Sequence, residues 1–105
     1  MRVQFVTRNV TPSQSLREHT EHQLARLTQV YPSITEATVT LTQEGLIQRA
    51  EINVHVSGKR FHCDESDELF EHSIESCVSS LRRSLLRYKD RRRVHDPAHH
   101  VWRSV

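Results

Sequence analysis

Hydrophobic and polar residues alternate in four short stretches of the chain, which is the pattern of strands with one buried face. These stretches are residues 2–7, 36–44 and 49–56 and a shorter run around Phe61 and Cys63. Gly45 and the pair Ser57-Gly58 mark turns between the last three stretches. The pattern therefore predicts one strand near the N-terminus and, later in the chain, an antiparallel meander of three strands.

A first helix is predicted between the first two strands, because apolar positions recur there at three- and four-residue spacing. The positions that mark it are Leu16, Thr20, Leu24 and Leu27. We expect Thr11 to be its N-cap, with Pro12 in the first turn and Gln14 completing a capping box. Tyr31-Pro32 should end it, because proline disfavours a helical residue before it.

A second helix is predicted after the meander. Its apolar stripe consists of Phe70, Ile74, Cys77, Val78, Leu81, Leu85 and Tyr88. We expect this helix to begin near Ser66 and to run past the edge of the sheet at Arg92. The order β-α-β-β-β-α predicts an α+β two-layer sandwich, a four-stranded sheet with two helices on one face. Residues 1–93 form the predicted domain, and residues 94–105, broken by Pro97, a flexible tail.

Length and composition narrow the class of protein. A chain of 105 residues, 27% charged and 35% hydrophobic, suits one folded soluble domain. Neither a signal peptide nor a membrane-spanning run is found in the sequence, which favours a cytoplasmic location. Cys63 and Cys77 occupy apolar positions without the spacing of a metal site, so we expect both to be reduced core residues.

Charge is unevenly distributed along the predicted second helix, although the net charge is only +2. Its first part carries Asp64, Glu65, Asp67, Glu68, Glu71 and Glu75. Its last part carries, against Asp90 alone, the basic residues Arg82, Arg83, Arg87, Lys89, Arg91, Arg92 and Arg93. The helix dipole favours this order, but it acts only in the terminal turn, at about 0.3–1 kcal/mol per charge. It explains two or three of the charges, so the cluster predicts a polyanion site.

The spacing within the basic cluster supports this hypothesis. Arg83, Arg87 and Arg91 follow at four-residue steps, where like charges repel by about 0.2–0.5 kcal/mol per pair. Clustered arginine suits phosphate, because the planar guanidinium binds it through two hydrogen bonds. No exposed aromatic residue alternates with the cluster, so a stacking platform is not predicted, and recognition of folded RNA by shape and charge remains. Leu86 is either a small apolar contact to the partner or an ordinary surface residue.

Three segments of the chain resemble the ribosome hibernation-promoting factor family, also called the sigma-54 modulation or ribosome-associated inhibitor family. They are RNVTPSQSLREHTEHQLARL, INVHVSGKRFHCDESDELFEHSIE and LRRSLLRYKDRRR. The resemblance implies a fold related to double-stranded RNA-binding domains. It also implies binding to the small ribosomal subunit in the channel for mRNA and tRNA. Bacterial members stop translation there in stressed or stationary cells, and ribosomes are held as inactive single particles or dimers.

The resemblance also implies which residues bind and what they bind. Family RNA-binding positions carry over to Arg17, Arg26, Arg83, Arg87, Lys89 and Arg91. Charge alone adds Arg8, Arg82, Arg92 and Arg93. The implied partners are 16S rRNA and neighbouring ribosomal proteins, with no membrane and no small-molecule substrate, and the protein is expected to be a monomer off the ribosome. The chain ends before the dimerising domain of the family's long form, so direct pairing of ribosomes by the protein is not implied.

Other functions find less support in the sequence. The chain has eight histidines, but His62 and Cys63 point to opposite faces of a strand, and His19 with His22 lacks a third ligand nearby. No metal site and no cofactor are predicted. No nucleophile, base and stabiliser form a motif, so neither catalytic residues nor an enzyme is predicted. Two alternatives stay open: a transcription-associated protein–protein regulator that uses the acidic part of the second helix, and a general structured-RNA-binding module.

Overall fold

The chain folds into six elements in the order that its hydrophobic pattern predicts, which confirms the α+β class. A computed structural model describes the backbone of residues 1–94 and the side chains of residues 1–91. The elements are β1 (Arg2–Arg8), α1 (Gln14–Val30), β2 (Ile34–Glu44), β3 (Ile47–Val56), β4 (Lys59–Asp67) and α2 (Phe70–Val94). Apart from Val94, the predicted tail lies outside the described residues. Neither helix of the described part is long and apolar enough to cross a lipid bilayer.

The four strands form one sheet in the order β1-β2-β3-β4, which leaves β1 and β4 at its edges. β1 pairs with β2 in parallel, through the crossover that α1 provides, and the other two pairings are antiparallel. Ser57 and Gly58 both have positive φ, 48° and 77°, as the two-residue turn between β3 and β4 requires. The predicted meander of β2, β3 and β4 is therefore confirmed.

Both helices cover the same face of the sheet, and the core lies between the two layers. Its fully buried members include Leu24, Leu27, Val39, Leu41, Ile52, Val54, Ile74, Leu81 and Leu85. Burying a side chain of this size stabilises the fold by about 1.5–3 kcal/mol. The opposite face of the sheet carries the polar residues of the alternating pattern, such as Asn53 and His62. We call it the open face.

The two helices run in the same direction and end together. At one end of the molecule, the main-chain N–H of Phe70 donates to Oε1 of Gln48, next to the β2–β3 turn, at 2.6 Å. At the other end, Nζ of Lys89 donates to the carbonyl oxygen of Val30, at 3.3 Å. The C-terminal turns of α1 and α2 therefore lie side by side, at the end of the molecule where β2 begins.

The predicted start of α1 was wrong by two residues. Ser13, not Thr11, is the N-cap: its backbone is extended and its hydroxyl accepts from the N–H of Leu16 at 3.1 Å. Gln14 does not close a capping box, and its amide donates to Glu18 instead. Thr11 and Ser13, on either side of Pro12, both carry a hydroxyl group. Only the hydroxyl of Ser13 reaches the unpaired N–H groups of the first turn. The predicted end before Pro32 is confirmed, because α1 stops at Val30.

The predicted start of α2 was also wrong, because β4 extends to Asp67 and takes the place of the first predicted turn. Asp64, Glu65 and Asp67 therefore lie on the strand, and of the six acidic residues predicted for the first part of the helix only Glu71 and Glu75 are helical. Acidic residues are depleted in strands, and so this stretch resembled a helix start. Pairing with the long β3 overrides that preference.

The two cysteines are free, as predicted. Cys77 is buried in the core, and burial raises the pKa of its thiol. Cys63 is half-buried and packs against the edge of the core, less deeply than the sequence predicted.

Candidate nucleic-acid interface

The basic residues of α2 lie on its C-terminal turns, at the end of the molecule where both helices stop. Those whose side chains are described are all exposed: Arg82, Arg83, Arg87, Lys89 and Arg91. Arg92 and Arg93 belong to the same helix, but their side chains lie outside the described part. We call these seven residues the α2 basic cluster.

The members of the cluster whose side chains are described lie on two flanks of the helix, because successive residues are rotated by about 100°. The core stripe through Leu81 and Leu85 separates them. On one flank, Lys89 reaches α1 and Arg82 has a similar helical phase. On the other, Arg87 and Arg91 border a cleft against the edge strand β4. The sequence predicted one basic patch, and the structure divides it between two grooves.

Lys89 has a structural partner on the α1 flank. Its ammonium group donates to the carbonyl of Val30, the last residue of α1, where unpaired carbonyls and the helix dipole favour a cation. Arg26 lies one turn before Val30, about 6 Å along the helix axis, and donates to Gln23 at 3.0 Å. It joins Arg82 and Lys89 near the groove between the helices.

Arg83 lies in acidic surroundings that the sequence did not indicate. It lines a cleft of about 580 Å³ together with Glu65 and Asp67 of β4 and Glu75 of α2. None of these acids stands four residues before Arg83: Glu75 lies about two turns earlier on α2, and the tertiary structure brings Glu65 and Asp67 to the same cleft. They offset part of the repulsion within the row of arginines.

Arg87 and Arg91 share their cleft with one carboxylate, that of Asp90, instead of three. Neither guanidinium has an ion pair or a hydrogen bond among the side chains described up to residue 91. Both line a second cleft of about 580 Å³ with Phe61, Ser84 and Asp90. Two exposed guanidinium groups one helical turn apart can each hold a phosphate through paired hydrogen bonds.

Phe61, like Ser84 and Asp90, lines this cleft although the sequence did not predict it as part of a site. It is half-buried on β4, with its ring centroid 5.4 Å from that of Tyr88. Tyr88 in turn stacks on Tyr31, and Nζ of Lys59 lies 4.6 Å from its ring centroid. The alternation of hydrophobic and polar residues predicted that Phe61 lies on a strand with one buried face. Only its place on an edge strand, which local pattern does not reveal, puts it beside α2.

Two of the predicted binding residues are not brought to the cluster. Arg17 lies on β1's side of α1, with its guanidinium carbon 5.2 Å from the centroid of the Phe5 ring. Arg17 and Arg26 are nine residues apart on α1, so their side chains project from nearly opposite sides of this helix. Arg8 ends β1 opposite Thr42, at the end of the sheet away from the cluster.

The open face carries a network of ion pairs around Arg49. This side chain pairs with Asp64, with Glu51 at 3.5 Å and with Glu44 at 3.6 Å. Its hydrogen bonds hold the pKa of Asp64 below the ordinary value. Ligand atoms of Glu51, Asp64 and His62 lie within 4.8 Å of one another, the spacing of a metal site. Since Arg49 already neutralises both carboxylates, we assign the group a structural role.

Comparisons with known proteins bear on the whole described domain. The chain is 24% identical over 95 residues to the ribosome hibernation promoting factor of Klebsiella oxytoca, covering 90% of this chain and all of that protein. Its identity to the factor of the same name from Azotobacter vinelandii is 28% over 91 residues, or 87% of this chain and 85% of that protein.

Solved structures agree in fold. The N-terminal domain of Thermus thermophilus Protein Y is 29% identical, with a TM-score of 0.77 over 84% of this chain and 99% of that domain. A ribosomal subunit interface protein from Coxiella burnetii, 22% identical, shares the fold with a TM-score of 0.80 over 86% of this chain and 99% of its own. The family model described as sigma 54 modulation protein / S30EA ribosomal protein matches residues 3–93. This chain therefore belongs to the sigma 54 modulation protein / S30EA ribosomal protein family.

Proposed function

We propose that this protein is a bacterial ribosome hibernation factor. Its domain, residues 1–93, binds the small ribosomal subunit in the channel for mRNA and tRNA and stops translation in stressed or stationary cells. Family membership and the names of its relatives support this proposal. The observation that carries it is the pair Arg87 and Arg91, exposed on the last turns of a helix without an acidic partner among the described side chains.

The proposed mechanism is steric. The α2 basic cluster neutralises phosphates of 16S rRNA, with further contacts to neighbouring ribosomal proteins, and the bound domain excludes mRNA and tRNA. The step needs no covalent chemistry, so the protein acts as a cytoplasmic binding protein and not as an enzyme. Because the cluster covers two flanks of α2, RNA can approach the helix end from both the α1 groove and the β4 cleft.

The test is co-sedimentation of the purified protein with ribosomes at low salt. The variant Arg87→Glu/Arg91→Glu should remain in the supernatant, because it reverses two charges that form no ion pair among the described side chains. A matched control is Arg2→Glu/Arg60→Glu, which changes net charge equally but alters two exposed residues whose strand positions face away from the helices. The control should still co-sediment, and a sucrose profile of the same mixtures will separate single ribosomes from dimers.

Two results would contradict the proposal. If the wild-type protein stays in the supernatant at low salt, ribosome binding is wrong, and the open alternatives, a free structured RNA or a protein partner, become the candidates. If both double variants lose binding equally, net charge alone is responsible, and the helix end is not the interface.

A further inference from the structure

The cleft beside Arg87 and Arg91 lies between the edge strand β4 and the C-terminal turns of α2. Phe61 contributes an aromatic wall from the strand, and Ser84 contributes a hydroxyl from the helix. Arg87, Asp90 and Arg91 complete the lining. The volume of about 580 Å³ falls within the range of about 300–1,000 Å³ found for small-molecule sites.

These groups match the parts of one nucleotide. An aromatic ring packs against a base of any sequence, and guanidinium groups hold the phosphate that follows it. The carboxylate of Asp90 and the hydroxyl of Ser84 can accept hydrogen bonds from the N–H groups on the edge of a base. A continuous duplex cannot supply such a base, since its bases are stacked and paired.

The neighbouring cleft provides a contrast within the same groove. It has the same volume, but the carboxylates of Glu65, Asp67 and Glu75 line it beside Arg83 and make it less favourable for phosphate. A nucleotide is therefore directed to the half of the groove that carries Phe61 and the two arginines. Lys59, with Nζ 5.4 Å from the centroid of the Phe61 ring, adds a further positive charge at this end.

We propose that this cleft binds a single unpaired nucleotide of the RNA, with the base against Phe61 and the phosphate on Arg87 and Arg91. The inference rests on the proposed function, because it assumes that RNA meets this end of α2. It goes beyond recognition by shape and charge alone, since it predicts a preference for RNA that offers a base outside the helix.

The test compares two RNA hairpins, one fully paired and one with a single bulged adenosine in the same stem. Affinity is measured by fluorescence anisotropy of labelled RNA. Base stacking on aromatic side chains predicts roughly 5- to 150-fold tighter binding of the bulged hairpin by the wild type. Phe61→Leu should bring this ratio to within about twofold of unity and leave the affinity for the paired hairpin unchanged.

Two further variants guard against a folding artefact and against a general charge effect. Ser84 is half-buried and is not a member of the hydrophobic core, so Ser84→Leu fills the cleft from the helix and should abolish the same preference. Arg82→Gln, on the α1 flank, should weaken both hairpins by the same factor. If both Phe61→Leu and Ser84→Leu still bind the bulged hairpin more tightly than the paired one, the inference is wrong.

Ribosome co-sedimentation of the same proteins separates this inference from the proposed function. Wild-type protein that co-sediments with ribosomes but binds both hairpins equally would refute the nucleotide site and leave the proposed function standing. Wild-type protein that binds neither hairpin and no ribosomes would refute both.

Discussion

Arginine has two kinds of surroundings in this protein. Arg49 is tied to the carboxylates of Glu44, Glu51 and Asp64 on the open face, so its charge is used within the fold. Arg87 and Arg91 have no acidic partner among the described side chains, and their charge is available to a ligand. Substitution of Arg49 should therefore alter the folded state, whereas substitution of the other two should alter binding.

The pKa of Asp64 reports directly on the Arg49 network. Hydrogen bonds from Arg49 hold this pKa below its ordinary value, so Arg49→Gln should raise it toward that value. Because the folded-state pKa lies below that of the unfolded chain, the interaction stabilises the protein above the unfolded value, near pH 4, and is lost as pH falls through the folded-state pKa. A carboxyl NMR titration measures the shift.

Asp67 provides the internal control for that titration. Main-chain N–H groups of Glu68 and Leu69 lower its pKa without any contribution from Arg49. Its titration should be the same in the wild type and in Arg49→Gln. An unchanged Asp64 titration in the variant would show that Arg49 does not form this pair in solution.

At the level of elements, the sequence predicted the features that follow from the hydrophobic periodicity of each segment. It missed those that depend on which strands pair with each other. The alternation of Ala50, Ile52 and Val54 and the stripe through Leu81 and Leu85 were predicted correctly, because one buried face imposes each period. The boundary between β4 and α2 was missed, because the strand ends where β3 stops offering partners. The position of Phe61 in a cleft was missed because the pairing order of the strands, which places β4 at the edge of the sheet, is not visible in the local pattern.

The junction between the β2–β3 hairpin and α2 depends on Gln48. Its side-chain oxygen accepts from the N–H of Phe70, the first residue of α2, in the manner of an N-cap supplied by another element. Gln48→Ala leaves that donor unpaired and should lower the free energy of unfolding by about 1–2 kcal/mol. Urea denaturation measures the change. The exposed Gln4→Ala is the control, and an equal effect of both substitutions would contradict the capping role.

Leu85 and Leu86 should differ in their effect on stability although they are neighbours on α2. Leu85 is fully buried, so Leu85→Ala should lower the free energy of unfolding by about 2–5 kcal/mol. Leu86 is only partly buried at the edge of the core, so Leu86→Ala should cost less, about 1 kcal/mol. Thermal and urea unfolding compare the two. If Leu86→Ala leaves stability unchanged but weakens ribosome binding, its packing is minor and Leu86 is a partner contact.

At the scale of the whole molecule, opposite charges lie at the two ends of α2. Asp67 and Glu71 lie where α2 begins, and the α2 basic cluster lies where it ends. The sequence predicted this separation along one helix, whereas in the structure Asp67 ends β4 and Glu71 lies in the first turn of α2. It could not predict that Arg8 and Arg17 would lie away from the cluster, since their positions depend on how β1 and α1 pack. Such a separation orients the protein toward a polyanion before contact.

Salt dependence measures how many phosphates the basic end neutralises. Each contact contributes about −0.7 to −0.9 to the slope of log affinity against log salt, through released counterions, so seven contacts predict about −5 to −6. Arg87→Gln/Arg91→Gln removes two contacts and should make the slope shallower by about 1.4–1.8. Affinity for purified small subunits, measured over a salt series at fixed magnesium, gives both slopes.

The control for this series is Arg2→Gln/Arg60→Gln, which removes the same charge from the open face and should leave the slope unchanged. Arg87→Gln/Arg91→Gln could instead weaken binding at every salt concentration and leave the slope of log affinity against log salt as in the wild type. That result would mean that the two side chains contribute to binding without releasing counterions. In that case they contact protein or an already neutralised RNA surface, and the assignment of Arg87 and Arg91 as phosphate ligands is wrong.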